Sequence, residues 1–242
     1  MIIDQDSCIG CEECLCTCPV NAIQMENDCA FIEEESCVEC GNCLRVADCP
    51  VEAISQDELG WPRIIRKCFS DNHFQWPQKL RYSLGYGRGT EECKTNDRTG
   101  KFKKGDVGLI VELGRPSTGA YLSDAEKVAK ASIASGASMA SDTPFTGLLK
   151  DPANATLPDD LRVQKVLSCI VEGLVPLSNL KASLQALRRV SQEIDTVFSL
   201  GLITRVNEGF ELPIKDTVNV AGFKMEAACK VNVGLGKPLC LE

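Results

Sequence analysis

Histidine is nearly absent from this chain: 242 residues contain one, His73. Nucleophile–base pairs of the Cys-His or Ser-His-Asp kind need a histidine placed for them, and His73, between Asp71-Asn72 and Phe74, reads as a surface or packing residue. Hydrolytic chemistry is disfavoured. Long apolar runs are lacking as well. No stretch reaches the roughly 18 residues of a membrane helix, and the apolar segments around residues 107–113 and 167–177 are interrupted by charge or proline. No membrane insertion is expected. The start, Met1-Ile2-Ile3-Asp4, has neither the basic residues nor the apolar stretch of a secretory leader, so the many cysteines do not read as a disulfide framework. Basic side chains are missing from the first 59 residues apart from Arg45, against fourteen Asp or Glu, a net charge of −13 there.

What is abundant is cysteine, fifteen in all, eight of them in two runs that each end in Cys-Pro. The first run is Cys8, Cys11, Cys14 and Cys18 before Pro19; the second is Cys37, Cys40, Cys43 and Cys49 before Pro50. The tails Val20-Asn21-Ala22-Ile23 and Val51-Glu52-Ala53-Ile54 nearly repeat one another, which marks an internal duplication. Three cysteines spaced C-x2-C-x2-C aim three thiolates at one point, while the fourth is carried away from it and serves another centre. In a duplicated motif the solution is exchange. Cys8, Cys11, Cys14 and Cys49 are then expected to hold one [4Fe-4S] cluster, and Cys37, Cys40, Cys43 and Cys18 a second. Zinc favours two C-x2-C pairs, a weaker match to triplets followed by a lone cysteine. Cys16 reads as a spectator, and Cys29, in the hairpin between the halves, as a small buried apolar residue.

At these residues the sequence resembles the bacterial two-cluster ferredoxins, over about residues 1–59. The first run fits the family pattern C-x2-C-x2-C-x3-C-P; the second has C-x5-C-P at its end, two residues longer within residues 44–48. That departure leaves the ligand count intact but bears on backbone N–H bonds near Cys49, and so on the potential of the cluster it completes. The resemblance implies electron transfer, oxygen-sensitive clusters and a reducing cytoplasm of an anaerobic or microaerophilic microbe.

Residues 60–105 read as a basic connector. Eleven Lys or Arg stand against four acidic residues over residues 61–105, and glycine and proline punctuate the stretch too often for long helices. Trp61, Phe69, Phe74, Trp76, Tyr82 and Tyr86 would anchor it on its neighbours. The charge suits the acidic first part of the same molecule or an acidic redox partner; with no DNA-binding motif present, it does not point to nucleic acid. Within it, residues 85–97 (GYGRGTEECKTND) offer glycines and, with Arg88, Lys94 and Arg98, a place for a small anion. Cys93 beside Lys94 is a candidate for a reactive thiol.

Residues 106–242 read as a partner- or ligand-binding domain. Strands are expected over residues 106–113, 162–172, 196–206 and 224–234. Helices are expected over residues 123–135, with Ser123 as N-cap and Glu126 completing a capping box, and over residues 177–193; residues 136–160 read as a loop. This order gives an α+β fold, a small mixed or antiparallel sheet with helices on one face, forming a sandwich behind the ferredoxin domain. In architecture alone it is similar to small regulatory modules of the ACT type. Gly114 to Gly119 and Gly234 to Pro238, both with Gly, a basic residue and Pro at strand exits, would be turns or flank one ligand site. Cys169 and Cys229 fall on expected strands as core residues. The expected function is one-electron transfer to a redox partner protein. The alternatives are a redox- or ligand-responsive regulator and a reductase whose substrate lies near Cys93.

Overall fold

The computed structural model describes residues 1–75, 77, 102–115, 118–141, 143–209 and 211–225. In the amino-terminal part, strand β1 (Ile2–Ile3) pairs antiparallel with β4 (Ile54–Ser55), and β2 (Ile23–Glu26) with β3 (Cys29–Ile32). The duplication seen in the cysteines extends to the backbone. Gly10 and Glu12 in the first ligand loop have φ of 66° and 64°, and their counterparts Glu39 and Gly41 in the second have 57° and 66°. Asn21 and Glu52, each three residues after a Cys-Pro cysteine, match again at 54° and 51°. Met1, Ile3, Ala22, Ile23, Ala30, Ala53 and Ile54 form a small core with the ligand thiols at its edge. The two extra residues of the second run lengthen a single tight turn, Leu15–Thr17 in the first half, into helix α1 (Asn42–Val46).

Helix α2 (Ile64–Ser70) lies in the stretch whose punctuation suggested irregular structure. Its apolar residues Ile65, Cys68 and Phe69, spaced to share one face, are buried in the principal core of the remainder of the chain. That core joins them to Leu122, Val128, Phe145, Leu161, Val171 and Leu187. The opposite side of α2 faces the second cysteine loop.

The remainder is α+β. Strands β5 (Asp106–Leu113), β7 (Ser138–Met139), β9 (Cys169–Pro176) and β10 (Phe198–Ile203) form an antiparallel sheet in the order β10-β5-β9-β7. Alternate residues Val107, Leu109, Val111 and Leu113 of β5 are buried, as the two-residue period of a strand requires. Helices α3 (Leu122–Ala134) and α6 (Leu180–Val190) pack on each other and on β9. A short pair, β6 (Ala120–Tyr121) with β8 (Lys165–Val166), lies beside α2.

Several expectations are corrected. Ser123 does not cap α3. The helix starts at Leu122, straight out of β6, and the Leu122 N–H already donates to the Gln164 carbonyl at 3.0 Å. Glu126 instead accepts from the Leu157 N–H at 2.9 Å and pairs with Arg162 and Lys130. Residues 136–160 contain β7 and helix α4 (Pro144–Leu148), whose Thr143 hydroxyl accepts from the Thr146 N–H with Pro144 opening the first turn. Residues 159–162 are helical, α5 (Asp159–Arg162), where a strand was expected to begin at Arg162, and α7 (Lys215–Val220) was not anticipated. The strand expected over residues 224–234, with Cys229, lies outside the described residues apart from Lys224 and Met225, as does the turn at residues 234–238.

Candidate iron–sulfur centres

Each ligand loop takes its shape from left-handed residues that turn the chain twice within seven positions, and glycine stands only where a side chain would collide. A Cβ on Gly10 would strike the carbonyl oxygen of Asp28 in the β2–β3 turn, whereas Glu39 at the matching place carries its side chain inward. A Cβ on Gly41 would come within 2.8 Å of the Arg45 guanidinium, whereas Glu12 at the matching place is exposed. The exchange of glycine between the two positions therefore follows what covers each loop.

Cys18, Cys37, Cys40 and Cys43 line one partly open recess of about 300 Å³, whose walls include Val20 and Ile23. Burial pushes the Cys43 thiol up to about 11, with Cys40 and then Cys18 adding their charge; burial likewise raises Cys40, with Cys18 again a neighbour. Burial and then Glu39 push Cys37 up to about 12. The other thiols keep separate company. Cys14 is raised by burial and by the neighbouring thiols of Cys11, Cys8 and Cys49, while Cys8 is lowered by backbone N–H bonds from Gly10 and Ala30. Backbone N–H groups also reach the last cysteine of each run: Ala22 donates to Cys18 Sγ at 3.1 Å and Ala53 to Cys49 Sγ at 3.4 Å. The longer second run thus keeps its N–H···S bond. Among the described residues no three Cys, His, Asp or Glu side chains converge closely enough for a single metal ion. Thiolates standing around a recess, with N–H donors on their sulfurs, suit a cube of iron and sulfide better than one ion.

The two loops differ in what lies over them. Arg66, 7% exposed, donates through Nη1 to the carbonyls of Glu34, Glu35 and Cys37, at 2.5, 3.3 and 2.9 Å, and through Nε to Gln164 Oε1 at 2.8 Å. Arg63 pairs with Glu39 and Glu34, and Glu39, wholly buried, also accepts from the Met1 ammonium at 2.6 Å. Burial would raise the Glu39 carboxyl, but that ammonium and Arg63 outweigh it and hold it below the ordinary range. Arg45 donates to the Cys40 carbonyl at 2.6 Å and pairs with Asp71 beyond the end of α2. On the first loop the carbonyls of Gln5 and Cys8, counterparts of Glu34 and Cys37, receive among the described residues only the Cys29 thiol, at 3.9 and 3.6 Å. Cys29 is half-buried and bonded, not the apolar core residue expected.

Arg66 and Arg63 are the residues over the second loop that sequence reading passed over. Their signal was the helical spacing of Ile65, Cys68 and Phe69 between them and the glycine-rich stretch. Cys68 and Cys169 are buried in the principal core, and burial alone pushes both thiols up, Cys68 to about 12. Cys16 and His73 are exposed. Gly114 and Gly119 frame a turn after β5, with Gly119 N–H donating to the Gly114 carbonyl at 3.3 Å. Cys93, Arg88, Lys94 and Arg98 lie outside the described residues. No helix among the described residues is long and apolar enough to cross a membrane.

Residues 1–24, which hold the first ligand run, match the family model described as 4Fe-4S binding domain. The amino-terminal segment carries a ferredoxin-type 4Fe-4S domain. A ferredoxin of Pyrobaculum islandicum is 42% identical to this chain over 68 residues, 28% of this chain and 62% of that protein. The chain therefore spans less than two thirds of that relative's length. No solved structure matches. An iron–sulfur, electron-transfer role follows for this segment; the rest of the chain lies beyond the likeness.

Proposed function

We propose that the protein is a one-electron carrier with two [4Fe-4S] clusters, joined to an α+β sandwich that positions it against a redox partner protein. One cluster is held by Cys8, Cys11, Cys14 and Cys49, the other by Cys18, Cys37, Cys40 and Cys43. The observation that carries the reading is the recess lined by Cys18 together with Cys37, Cys40 and Cys43, because it gathers one cysteine of the first run with three of the second. When bound, each cluster supplies a site that gains and loses single electrons. The chain's own part is to present the thiolates, donate N–H groups to their sulfurs from Ala22, Ala30 and Ala53, and exclude water with Val20, Ile23 and Ile54. Each N–H···S bond stabilises the more negative state and so raises the potential. In this reading the chain divides into the cluster domain at residues 1–59, a basic connector at 60–105 and the sandwich at 106–242, and works in a reducing cytoplasm.

Anaerobic purification followed by iron and acid-labile sulfide analysis tests this. About eight of each per chain, with reversible bleaching on reduction and reoxidation by a one-electron acceptor, is the expected result. About four iron, or tightly bound zinc without sulfide, would overturn it.

A further inference from the structure

The two ligand loops share one backbone and differ in cover. On the second loop Val38 is 1% exposed and Glu39 is wholly buried; on the first, Ile9 at the place of Val38 is 62% exposed, and Cys11, Glu12 and Glu13 are exposed with it. What covers the second loop is a cationic helix of the same chain. Arg63 at the start of α2 neutralises Glu39 and Glu34, Arg66 binds the loop carbonyls, and Lys67 at 3.7 Å joins Arg45 on Asp71. On the first loop, Asp6, Glu12 and Glu13 make no ion pair among the described residues.

From this we propose that the first ligand loop is the docking face for the redox partner, and that the partner presents Lys or Arg to its acidic residues, as α2 presents Arg63 and Arg66 to the second loop, around an apolar contact for Ile9. Ile9 is the apolar centre, with Asp6, Glu12 and Glu13 as the acidic rim. The second loop, largely covered by α2, is not the docking face. This rests on the carrier reading above. Each transfer moves one electron from a reduced cluster to the partner's oxidised centre, with no bond made or broken and no proton moved. Acidic residues around an apolar contact steer a basic partner and fix its orientation, an effect weakened by salt.

The test uses the full chain, with mammalian cytochrome c as a basic one-electron probe. Binding to immobilised ferricytochrome c and the bimolecular rate of haem reduction are measured for the parent chain, for D6K and E13K, and for E58K. Glu58 is exposed in the connection to α2, so E58K changes the charge equally on the covered side. Iron content and visible spectra confirm equal cluster loading in all four. D6K and E13K are expected to cut binding and rate about tenfold and flatten the salt dependence, with E58K within twofold of the parent. Equal losses in all three variants would show diffuse charge attraction and overturn the docking face, as would no loss in any. Gain of binding only after removal of the basic residues 78–101, or self-association abolished by E13K, would show that this chain or a second copy occupies the face, and would overturn the proposal too. If binding follows the expected pattern but no haem is reduced, the face stands and the carrier reading fails.

Discussion

The first and second ligand loops are near copies in backbone, yet among the described residues one is exposed and the other is largely covered. Left-handed residues recur at matching places, and an alanine N–H reaches the last cysteine of each run. Over the second loop, however, a buried guanidinium binds the carbonyls of Glu34 and Cys37, where the first loop has the neutral thiol of Cys29 against those of Gln5 and Cys8. A duplicated motif thus yields two inequivalent loops, because among the described residues helix α2 covers only the second. The cover sets both access and charge, and charge next to a cluster is a lever on its potential.

The largest expected effect comes from breaking the exchange of ligands between the halves. Cys49→Ala should lower iron from about eight to about four per chain, with the remaining cluster that of the second loop; loss of the second-loop cluster would contradict the assignment. Next is Arg66→Gln, which leaves three carbonyls with a weaker donor or none. Chemical denaturation should show a loss of about 3 kcal/mol, and the second cluster should fall in potential by on the order of tens of millivolts while the first stays put. Glu39 gives a pH-dependent version of the same comparison. Its folded pKa lies below its unfolded one, so its stabilisation is complete above about 4.5 and is lost as pH falls through the lower folded value. Glu39→Gln should therefore lose on the order of 1 kcal/mol at pH 6 relative to the parent, and that gap should narrow towards pH 3. Smallest is Cys29→Ala, which removes one weak, neutral donor from the first loop. A potential shift of only a few millivolts is expected there, and a shift larger than that of Arg66→Gln would reverse the argument.

The cysteine spacing made the two loops legible because ligand geometry leaves few solutions, and β5, α6 and β10 were legible because their apolar residues follow periods of 2.0 and 3.6. The cover was not. Helix α2 has seven residues, too few to show a sustained period, and sits at the head of a stretch rich in glycine and proline. Its meaning depends on Arg66 reaching carbonyls about thirty residues away, a contact that no local pattern encodes. The same limit explains α3: Ser123 and Glu126 have the spacing of a capping box, but β6 feeds directly into the helix and the Gln164 carbonyl takes the first N–H. Thr143-Pro144 was a readable start signal for α4 that the surrounding polar residues obscured.

The most direct test is an anaerobic potentiometric titration followed by electron paramagnetic resonance, run side by side on the parent chain and Arg66→Gln. Two centres titrating separately in the parent, with only the second-loop step, the one that survives Cys49→Ala, moving down in the variant, is the predicted result. A single centre, or a variant in which both steps move together or neither moves, would contradict the claim that α2 makes the two loops inequivalent.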